Sequence, residues 1–472
     1  MTEPIVADIA VIGGGPGGYA AAFHAADAGK RVALIDCERQ LGGVCLRAGC
    51  IPSKALLHAA AVVREAEESR ARGISFTRPS IDLGQLRQWK DGVISRLADG
   101  LSGLAAKRRV MMVTGRARFA DPHTLRVEAT DGGCEVRSDQ VIIATGSRPV
   151  VPPAFARASR RVMTSTEALE LGEIPGTLLI IGGGYIGLEL GTVYATLGSR
   201  VVLAEATGSI LIGTDADLGR LVLRSAQRLF QEVRVQATVT ALEERDGGVS
   251  VTMEVDGQRR EERYDAVLVA VGRAPNTQDL GLEQTRVRMD AQGYIQVDSR
   301  QRTADPSVAA IGDVVGGPLL AHKAAKEAKI AADAILRRPR GAERIVMPAV
   351  VFTDPELAWC GLTETQARQE GRRVRVARFP WSASGRAMSI DKPTGMTKLI
   401  IDEQTERVLG VAIVGSGAGE MISEGVVAME LGATARDLAE SVHPHPTLSE
   451  TIKECAELFY GHALHAFSRS PV

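Results

Sequence analysis

The chain lacks a charge imbalance and is poor in cysteine. Its 56 Lys and Arg residues nearly balance 57 Asp and Glu residues, which leaves a formal net charge of −1 over 472 residues. A net charge so close to zero gives no indication of a nucleic-acid or membrane-surface partner. Six cysteines in a chain of this length are too few for a disulfide-stabilised secreted scaffold.

Long hydrophobic runs are also absent. No apolar stretch approaches the ~18 residues that a membrane span needs. The N-terminus enters a predicted strand at residues 5–12 without the basic and apolar regions of a signal peptide. We therefore expect a cytoplasmic protein with no membrane partner and no nucleic-acid partner. Glycine, in contrast, is abundant at 50 residues, which suits close approaches of backbone to ligand, and the length allows about three domains.

Two of the cysteines lie five positions apart, in the segment Gly42-Gly43-Val44-Cys45-Leu46-Arg47-Ala48-Gly49-Cys50-Ile51-Pro52-Ser53-Lys54. Pro52 suits the first turn of a helix. Cys50 is therefore predicted at a helix N-terminus, where a thiol tends toward thiolate. We expect Cys45 in a short loop before that helix, close enough for a small disulfide ring that exchanges reversibly. Two buried free cysteines, or a structural bridge, are the alternatives. The other four cysteines are scattered and are expected to be structural.

Residues 5–36 have the pattern of a βαβ unit. A buried strand is followed by Gly13, Gly15 and Gly18 in G-x-G-x-x-G positions, then by an Ala-rich helix and a second strand that ends at Asp36. The glycines allow a pyrophosphate to approach a helix N-terminus, and Asp36 is positioned to accept hydrogen bonds from an adenosine ribose. Strand, glycines, helix and acid in register make this a strong indication of a dinucleotide site.

Residues 178–205 repeat the same pattern, with Gly182, Gly184 and Gly187 in the glycine positions and Glu205 at the end of the second strand. Two such units predict two dinucleotides, one a bound flavin and the other a diffusible nicotinamide. Glu205 favours NAD over NADP, because its carboxylate would repel a 2′-phosphate. A solvated strand end is the alternative interpretation of Glu205.

Further segments carry candidate residues. A buried strand ends at Thr145 and Gly146, and proline residues soon after it indicate a domain boundary. His322 begins an Ala-rich helix and either lines the flavin or only starts that helix. Near the C-terminus, His445-Pro446-Thr447 precedes Glu450 by a few residues, and a histidine with a carboxylate partner suits proton transfer near neutral pH. His443 is a supporting candidate.

The segment from Gly42 to Lys54 resembles the redox-active disulfide of the class I pyridine nucleotide–disulfide oxidoreductases, and its continuation to Leu57 is most similar to their dihydrolipoamide dehydrogenase (E3) branch. The resemblance extends over essentially the whole chain. It implies an α/β fold with two Rossmann-like dinucleotide-binding domains, for FAD and NAD, and an α+β C-terminal dimerisation domain. The implied limits are residues 1–150 and 275–347 for the two parts of the FAD-binding domain, 151–274 for the NAD-binding domain and 348–472 for the interface domain.

The resemblance also implies the roles of individual residues. Cys45 would be the interchange thiol and Cys50 the thiol against the flavin, with Lys54 paired to Glu189 near the flavin. His445 and Glu450 would be an acid–base dyad supplied by the partner subunit. The cofactor-binding residues would be the two glycine motifs and their acids, together with Gly43, Lys54, Thr145, Gly146, Gly272, Arg273, Gly312, Asp313 and Ala321. No metal is implied.

The implied activity is the oxidation of protein-bound dihydrolipoamide to lipoamide with reduction of NAD+ to NADH. The implied protein is a homodimer with tightly bound FAD and shared active sites, and it associates with the lipoyl domain and E2 core of 2-oxo acid dehydrogenase complexes. The alternatives are an NAD(P)H-dependent disulfide reductase of the same family, against which Glu205 argues, and a mainly structural E3 subunit. The sequence departs from the branch at Arg47 and Ala48, often Asn and Val there, and at Asp36, usually Glu.

Overall fold

The structure is a computed structural model and describes residues 3–77, 79–129, 132–155, 160–245, 247–338 and 345–467. The described elements of the first segment are, in order, β1 (Ile5–Ile12), α1 (Pro16–Asp27), β2 (Val32–Asp36), α2 (Gly43–Ala48), α3 (Cys50–Glu68), α4 (Leu83–Lys107), β3 (Met111–Thr114), β4 (Arg116–Asp121), β5 (Thr124–Glu128), β6 (Cys134–Ile143) and β7 (Ser147–Pro149). Parallel pairing places β3, β2, β1 and β6 side by side, and β5 and β4 extend the sheet in antiparallel pairing.

A second unit follows with its own parallel sheet. Its described elements are β8 (Val162–Met163), α5 (Ser165–Glu170), β9 (Thr177–Ile181), α6 (Tyr185–Leu197), β10 (Arg200–Ala204), α7 (Ala216–Leu229), β11 (Glu232–Arg234), β12 (Ala237–Arg245), β13 (Gly248–Val255), β14 (Gln258–Tyr264) and β15 (Ala266–Val269). The parallel strands lie in the order β11-β10-β9-β15-β8, while β12, β13 and β14 form a separate antiparallel sheet that packs against them. The sequence analysis did not predict this antiparallel sheet.

The chain then returns to the first sheet through β16 (Arg273–Pro275), β17 (Val308–Ala310) and α8 (Ala321–Ile335). Strand β16 pairs with β7, and β17 adds in parallel to the C-terminal half of β6. The N-terminal half of β6 pairs instead with β5. The first sheet is therefore completed by residues that follow the second unit.

The C-terminal segment forms an antiparallel sheet with helices against it. Its described elements are β18 (Ala349–Val351), β19 (Glu356–Gly361), α9 (Glu364–Gln369), β20 (Val374–Pro380), α10 (Gly385–Ser389), β21 (Met396–Asp402), β22 (Val408–Gly415), α11 (Ala418–Leu431), α12 (Ala435–Glu440) and α13 (Glu450–Phe459). The strand order is β18-β19-β22-β21-β20, and α11 and α13 contribute to its core. This architecture is the predicted α/β fold with an α+β C-terminal part. Within the described ranges, no helix combines the length and apolar character that a bilayer-crossing segment needs.

A buried lysine joins the C-terminal sheet to the second unit. Lys398, on β21, has a fully buried side chain, and its Nζ lies 2.9 Å from both Asp215 Oδ2 and Asp217 Oδ1. A third carboxylate, Glu364 Oε2, lies 3.0 Å away. Burial raises the pKa of Asp215 and Asp217, but hydrogen bonds outweigh it and hold both pKa values below the ordinary one. The largest of these come from Lys398, with further ones from the Glu364 and Thr365 N–H groups to Asp215 and from Arg378 to Asp217.

Replacing this lysine is expected to destabilise the fold. Lys398→Met leaves three carboxylates without their central cation, and breaking a buried pair typically costs ~3–5 kcal/mol. Urea denaturation at pH 7 measures the loss, with the exposed Lys107→Met as the control. In the wild type, the depressed pKa values add stability above pH ~3.9 that is lost as pH falls through the folded values.

In Lys398→Met, the largest contribution that lowers these two pKa values is removed, so Asp215 and Asp217 take up protons at a higher pH than in the wild type. The variant therefore loses less stability than the wild type as pH falls. The stability deficit should therefore narrow between pH 7 and pH 4. A deficit that is constant over this range, or equal to that of Lys107→Met, would contradict the ionic role of Lys398.

Candidate active site

The carboxyl ends of four parallel strands open into one cleft. Strands β1, β2, β6 and β17 end here, as expected for a ligand site in an open parallel sheet. The cleft has a volume of about 320 Å³. It brings together thirteen of the predicted site residues, namely Gly13, Gly15, Asp36, Gly43, Cys45, Cys50, Lys54, Thr145, Gly146, Arg273, Gly312, Asp313 and Ala321.

Glycine is required at the floor of the cleft. A Cβ on Gly43 would lie 2.7 Å from the Cα of Gly15, and Gly43 has a φ of +56°. A Cβ on Gly18 would lie 1.7 Å from the carbonyl oxygen of Gly13. Gly18 therefore allows α1 to pack closely on the glycine loop, and it does not itself line the cleft. The bare backbone and the N-terminus of α1 together make a cradle that fits a dinucleotide pyrophosphate.

The acid at the end of β2 is fixed on the glycine loop. Asp36 Oδ2 accepts a hydrogen bond from the Gly14 N–H, and Oδ1 accepts one from the Glu38 N–H at 2.8 Å. Although Asp is one methylene shorter than Glu, Asp36 still reaches the loop. Asp36 lines the cleft, in position for an adenosine ribose.

The second glycine loop has the same construction. Glu205 Oε2 accepts a hydrogen bond from the Gly183 N–H at 2.7 Å, and its other oxygen accepts from the Thr207 N–H at 2.8 Å. The predicted Gly187 packs on Gly182, whereas a Cβ on Gly184 would meet no atom within 4 Å, which leaves room for a nucleotide. Glu205 is 9% exposed, so the solvated strand end is wrong.

The nearby cation Arg234 does not weaken the expectation that Glu205 favours NAD over NADP. Arg234 lies on the neighbouring β11. Its backbone carbonyl accepts a hydrogen bond from the Glu205 N–H, and its side chain is only 10% exposed. Its guanidinium pairs with Glu232 at 2.6 Å and with Glu262 at 2.8 Å. Arg234 is therefore committed to two carboxylates rather than to a 2′-phosphate. The remaining predicted residue of this unit, Gly272, has a φ of +138° at the turn after β15.

The inner wall of the cleft is a connected polar network. Ser147 Oγ donates to Asp313, and Arg273 donates to Ser147 Oγ at 2.8 Å. Thr145 Oγ1 donates to the Asn276 carbonyl at 2.7 Å, and the Asn276 amide returns a bond to the Thr145 carbonyl at 3.0 Å. These contacts fix Asp313 and Thr145 in the wall of the cleft, which Ala321, the first residue of α8, also lines. Ser147 and Asn276 were missed because a lone polar residue after a strand carries no distinctive sequence signal.

The two cysteines lie together above the cradle. Both are free thiols in this structure, and Cys45 lies within α2, not in the predicted loop, because residues 43–48 make a short helix of their own. Cys50 is the first residue of α3, as predicted. A hydrogen bond from the Cys45 thiol, opposed by burial and assisted by Lys54, lowers the pKa of Cys50 to about 7. The same hydrogen bond and burial raise the pKa of Cys45.

The remaining cysteines differ in position. Cys360 and Cys455 are buried in the C-terminal sheet, where burial raises the pKa of each thiol to about 12. Cys37, in contrast, is exposed and lines the cleft next to Asp36. Its thiol pKa is raised by burial and by the Asp36 carboxylate, so it does not resemble the Cys50 thiol.

Lys54 and Glu189 form the predicted ion pair. Lys54 Nζ lies 2.7 Å from Glu189 Oε2 and 4.5 Å from the centre of the Phe352 ring. Glu189, on α6, also accepts from Ser53 Oγ at 3.0 Å and from the Phe352 N–H at 3.0 Å. The pair places a cation one helical turn from Cys50, and it connects α3 to both the second unit and the C-terminal segment.

The predicted acid–base dyad is assembled but lies away from the thiols. His445 Nδ1 is 2.9 Å from Glu450 Oε1, and Glu450 Oε2 accepts from the Thr447 N–H at 2.7 Å. Glu450 begins α13, and its hydrogen bonds from Thr447 and His445 outweigh burial and lower its pKa. His445 is 70% exposed, and neither member of the dyad is among the residues that line the thiol cleft.

Two other histidines have partners of their own. His443 Nε2 lies 2.9 Å from Glu424 Oε1, and this hydrogen bond raises the pKa of His443 despite its burial. His322 Nε2 lies 2.7 Å from the Pro348 carbonyl oxygen, and His322 does not line the cleft. His322 therefore lies in the first turn of α8, outside the cleft lining.

Comparisons with known proteins agree with this geometry. The family described as pyridine nucleotide-disulphide oxidoreductase matches residues 7–328, and its dimerisation domain matches residues 347–456. The dihydrolipoyl dehydrogenase of Vibrio cholerae is 44% identical over 462 residues, which cover 98% of this chain and 97% of that protein. The Bacillus subtilis dihydrolipoyl dehydrogenase is also 44% identical and covers 98% of each chain.

Solved structures have the same fold. LpdA from Mycobacterium tuberculosis superposes with a TM-score of 0.89 at 27% identity and covers 96% of this chain and 99% of that one. The HOCl-induced flavoprotein disulfide reductase RclA from Escherichia coli gives a TM-score of 0.85 at 30% identity and covers 97% of this chain and 100% of that one. By its sequence, its cleft and these similarities, this chain belongs to the pyridine nucleotide–disulphide oxidoreductase family, among the dihydrolipoyl dehydrogenases.

Proposed function

We propose that Cys45, Cys50, Lys54, Glu189, His445 and Glu450 are the catalytic residues of an FAD-dependent dihydrolipoyl dehydrogenase, which oxidises protein-bound dihydrolipoamide and reduces NAD+. The observation that carries the proposal is the thiol pair at the start of α3. Cys50 faces the cofactor cleft with a pKa of about 7, while Cys45 keeps its proton. The two thiols are thus already differentiated into an acceptor and a donor.

The cradle of Gly13, Gly15 and Gly43 would hold the FAD pyrophosphate, Asp36 its ribose and Asp313 the ribitol side. FAD held there would supply a two-electron acceptor for the dithiol and a hydride donor for NAD+. NAD+ would bind at the second glycine loop, with Glu205 on its ribose. We infer the domain limits 1–150, 151–274, 275–347 and 348–472, supported by the return of β17 to the first sheet.

The thiol chemistry begins from the disulfide form of the pair. His445 takes a proton from one substrate thiol, and the resulting thiolate attacks Cys45 Sγ. The Cys45–Cys50 bond breaks, and Cys50 leaves as a thiolate that Lys54 and the helix N-terminus stabilise. The second substrate thiol then attacks the substrate sulfur of the mixed disulfide. The bond from that sulfur to Cys45 breaks, and the proton of the attacking thiol passes to the departing Cys45 sulfur. The product is a cyclic disulfide, and the two electrons remain on the cysteine pair.

The base is proposed to come from the partner subunit of a homodimer. The dyad is fully oriented by its own chain, yet it does not line its own thiol cleft. The match of residues 347–456 to a dimerisation domain supports a twofold assembly that brings His445 to the other cleft. We further infer a cytoplasmic enzyme that accepts the lipoyl domain of an E2 core, the substrate for which this dithiol exchange is suited.

Cys50 should be detectable as a thiolate. In the two-electron-reduced protein, a Cys50 thiolate beside the flavin is expected to give long-wavelength absorption. The band should weaken as pH falls through about 7, because protonation removes the thiolate. Cys50→Ser should abolish the band, whereas Cys45→Ser keeps a hydrogen-bond donor and should retain it. If the band survives in Cys50→Ser, the assignment of the thiolate to Cys50 is wrong.

Glu205 should enforce a preference for NAD+. A like charge held against a 2′-phosphate costs several kcal/mol, so kcat/KM for NAD+ should exceed that for NADP+ by ~100-fold or more. Steady-state kinetics with both coenzymes measures the ratio. Glu205→Gln keeps the shape, removes the charge and should reduce the ratio, whereas comparable values for the two coenzymes in the wild type would refute this role.

His445→Gln should impair only the thiol half of the reaction. Loss of a general base typically costs ~10²–10⁴-fold in rate, so dihydrolipoamide oxidation should fall by about that factor. Electron transfer from NADH to an artificial acceptor needs no thiol base and should be largely retained. The control is His123→Gln, whose ring bonds the Ser138 carbonyl far along the chain from the dyad. Equal losses in both assays would argue for a folding defect.

A mixed dimer tests the shared site. When a His445→Gln chain pairs with a Cys45→Ser chain, trans geometry puts both lesions in one site and none in the other. About half of the normal activity per dimer should then return. If base and thiols belong to the same chain, each site carries one lesion, and a folded but inactive mixed dimer would be found.

A further inference from the structure

Arg47 lies in the cofactor cleft without a role in the proposed thiol chemistry. It belongs to α2, between the two cysteines. It is one of the positions where the sequence departs from the branch that it resembles, which often has Asn there. It follows Gly43 by four residues, so the two share a face of α2, and both line the cleft. The groups that most strongly shift the Cys50 pKa are Cys45 and Lys54, together with burial.

Arg47 is linked through Glu38 to Asp36, the acid proposed to bind the adenosine ribose. Its Nη1 lies 2.8 Å from Glu38 Oε2. The Glu38 N–H donates to Asp36 Oδ1 at 2.8 Å, so Glu38 and Asp36 belong to one fixed turn after β2. The Glu38 side chain is 54% exposed and the Arg47 side chain 28%, which places the ion pair across the rim of the cleft.

One donor of the guanidinium is buried without a partner. Arg47 Nε is inaccessible to water and makes no hydrogen bond with any described residue. A buried N–H of a charged group is costly to leave unsatisfied, and native structures normally provide a partner. The partner must come from the cleft, and the cleft is built for an anion with oxygen acceptors. An Asn at this position would have no Nε–H and would not need this acceptor.

We propose that Arg47 Nε–H donates to an oxygen of the adenosine diphosphate half of FAD, so that Arg47 and Glu38 retain the cofactor. The neighbours of Arg47 decide which half of FAD it meets. Asp36 and Gly43 belong to the ribose and pyrophosphate end, whereas Lys54 and Asp313 belong to the flavin end. A guanidinium beside a diphosphate adds a charge-assisted hydrogen bond that a neutral Asn lacks.

The test is the rate of FAD release from the holoenzyme, followed by free-flavin fluorescence after dilution at a temperature where circular dichroism shows a folded chain. Arg47→Gln should release FAD roughly tenfold faster or more, the effect of losing a hydrogen bond to a charged group. The matched control is Arg31→Gln, because Arg31 pairs with Asp8 at 2.9 Å outside the cleft. Arg31→Gln should stay within about twofold of the wild type.

Arg47→Lys separates the donor from the charge. It keeps a cation that can pair with Glu38 but has no Nε–H, so it should also release FAD faster than the wild type. Competition with FAD for the full-length chain identifies the half of the cofactor involved, with ADP and riboflavin as separate competitors. Arg47→Gln should weaken the binding of ADP and leave the binding of riboflavin unaffected. Wild-type release in Arg47→Gln or Arg47→Lys, or unchanged ADP competition, would overturn the proposal.

A purely structural role of Arg47 predicts a different result. In Arg47→Gln, flavin release would then coincide with unfolding, and the long-wavelength absorption of Cys50 would shift at the same time. This result would also overturn the proposal. The inference rests on the proposed binding of FAD in this cleft. A wild-type protein without flavin would refute that proposed function, whereas a flavin-loaded Arg47→Gln with unchanged release refutes only the role of Arg47.

Discussion

The close approach of two backbone segments at Gly15 and Gly43 is the constraint on which the active site depends. The Gly42 N–H donates to the Gly14 carbonyl at 2.9 Å, which pins the start of α2 on the nucleotide loop. A side chain on Gly43 would collide with Gly15 and push the two apart. Because α2 is short and α3 follows directly after Gly49, the positions of Cys45 and Cys50 are determined by this contact. The cofactor cradle and the thiols are therefore one unit, and neither can move without the other.

The buried Glu189 connects that unit to the rest of the chain. Its carboxylate binds Ser53 and Lys54 on α3 and the Phe352 N–H at the C-terminal sheet, while its own helix, α6, begins at the second glycine loop. An isolated buried carboxylate would be strongly destabilising, so the three segments must meet for the charge to be compensated. The Lys54–Glu189 pair therefore serves to position these segments more than to add net stability to the fold. It holds a cation beside Cys50 and orients the second nucleotide unit toward the first.

Local patterns predicted the two βαβ units, because strand, glycines, helix and acid all lie within about thirty residues and follow one register. Helix α1 begins at Pro16, and proline suits a helix start. What could not be predicted depends on residues distant in sequence. Some features arise only after folding. They are the helix around Cys45, the ion pair of Arg47 with Glu38, and the ion pairs of Arg234 with Glu232 and Glu262. Charged side chains carry no periodic signal of their partner, and Lys398 reads as an ordinary strand residue although it is fully buried.

His445 illustrates why we propose a site that is shared between two chains. Its ring is oriented entirely from within, since Glu450 holds Nδ1 and the Thr447 N–H holds Glu450. The ring is exposed, and it does not line the thiol cleft formed by the described residues of its own chain. If the partner's thiols lie opposite, dissociation of the dimer removes the base from every site while leaving each cofactor cleft intact. Activity toward the dithiol would then depend on protein concentration, whereas oxidation of NADH by an artificial acceptor would not, because the nucleotide loops and the thiol pair belong to one chain.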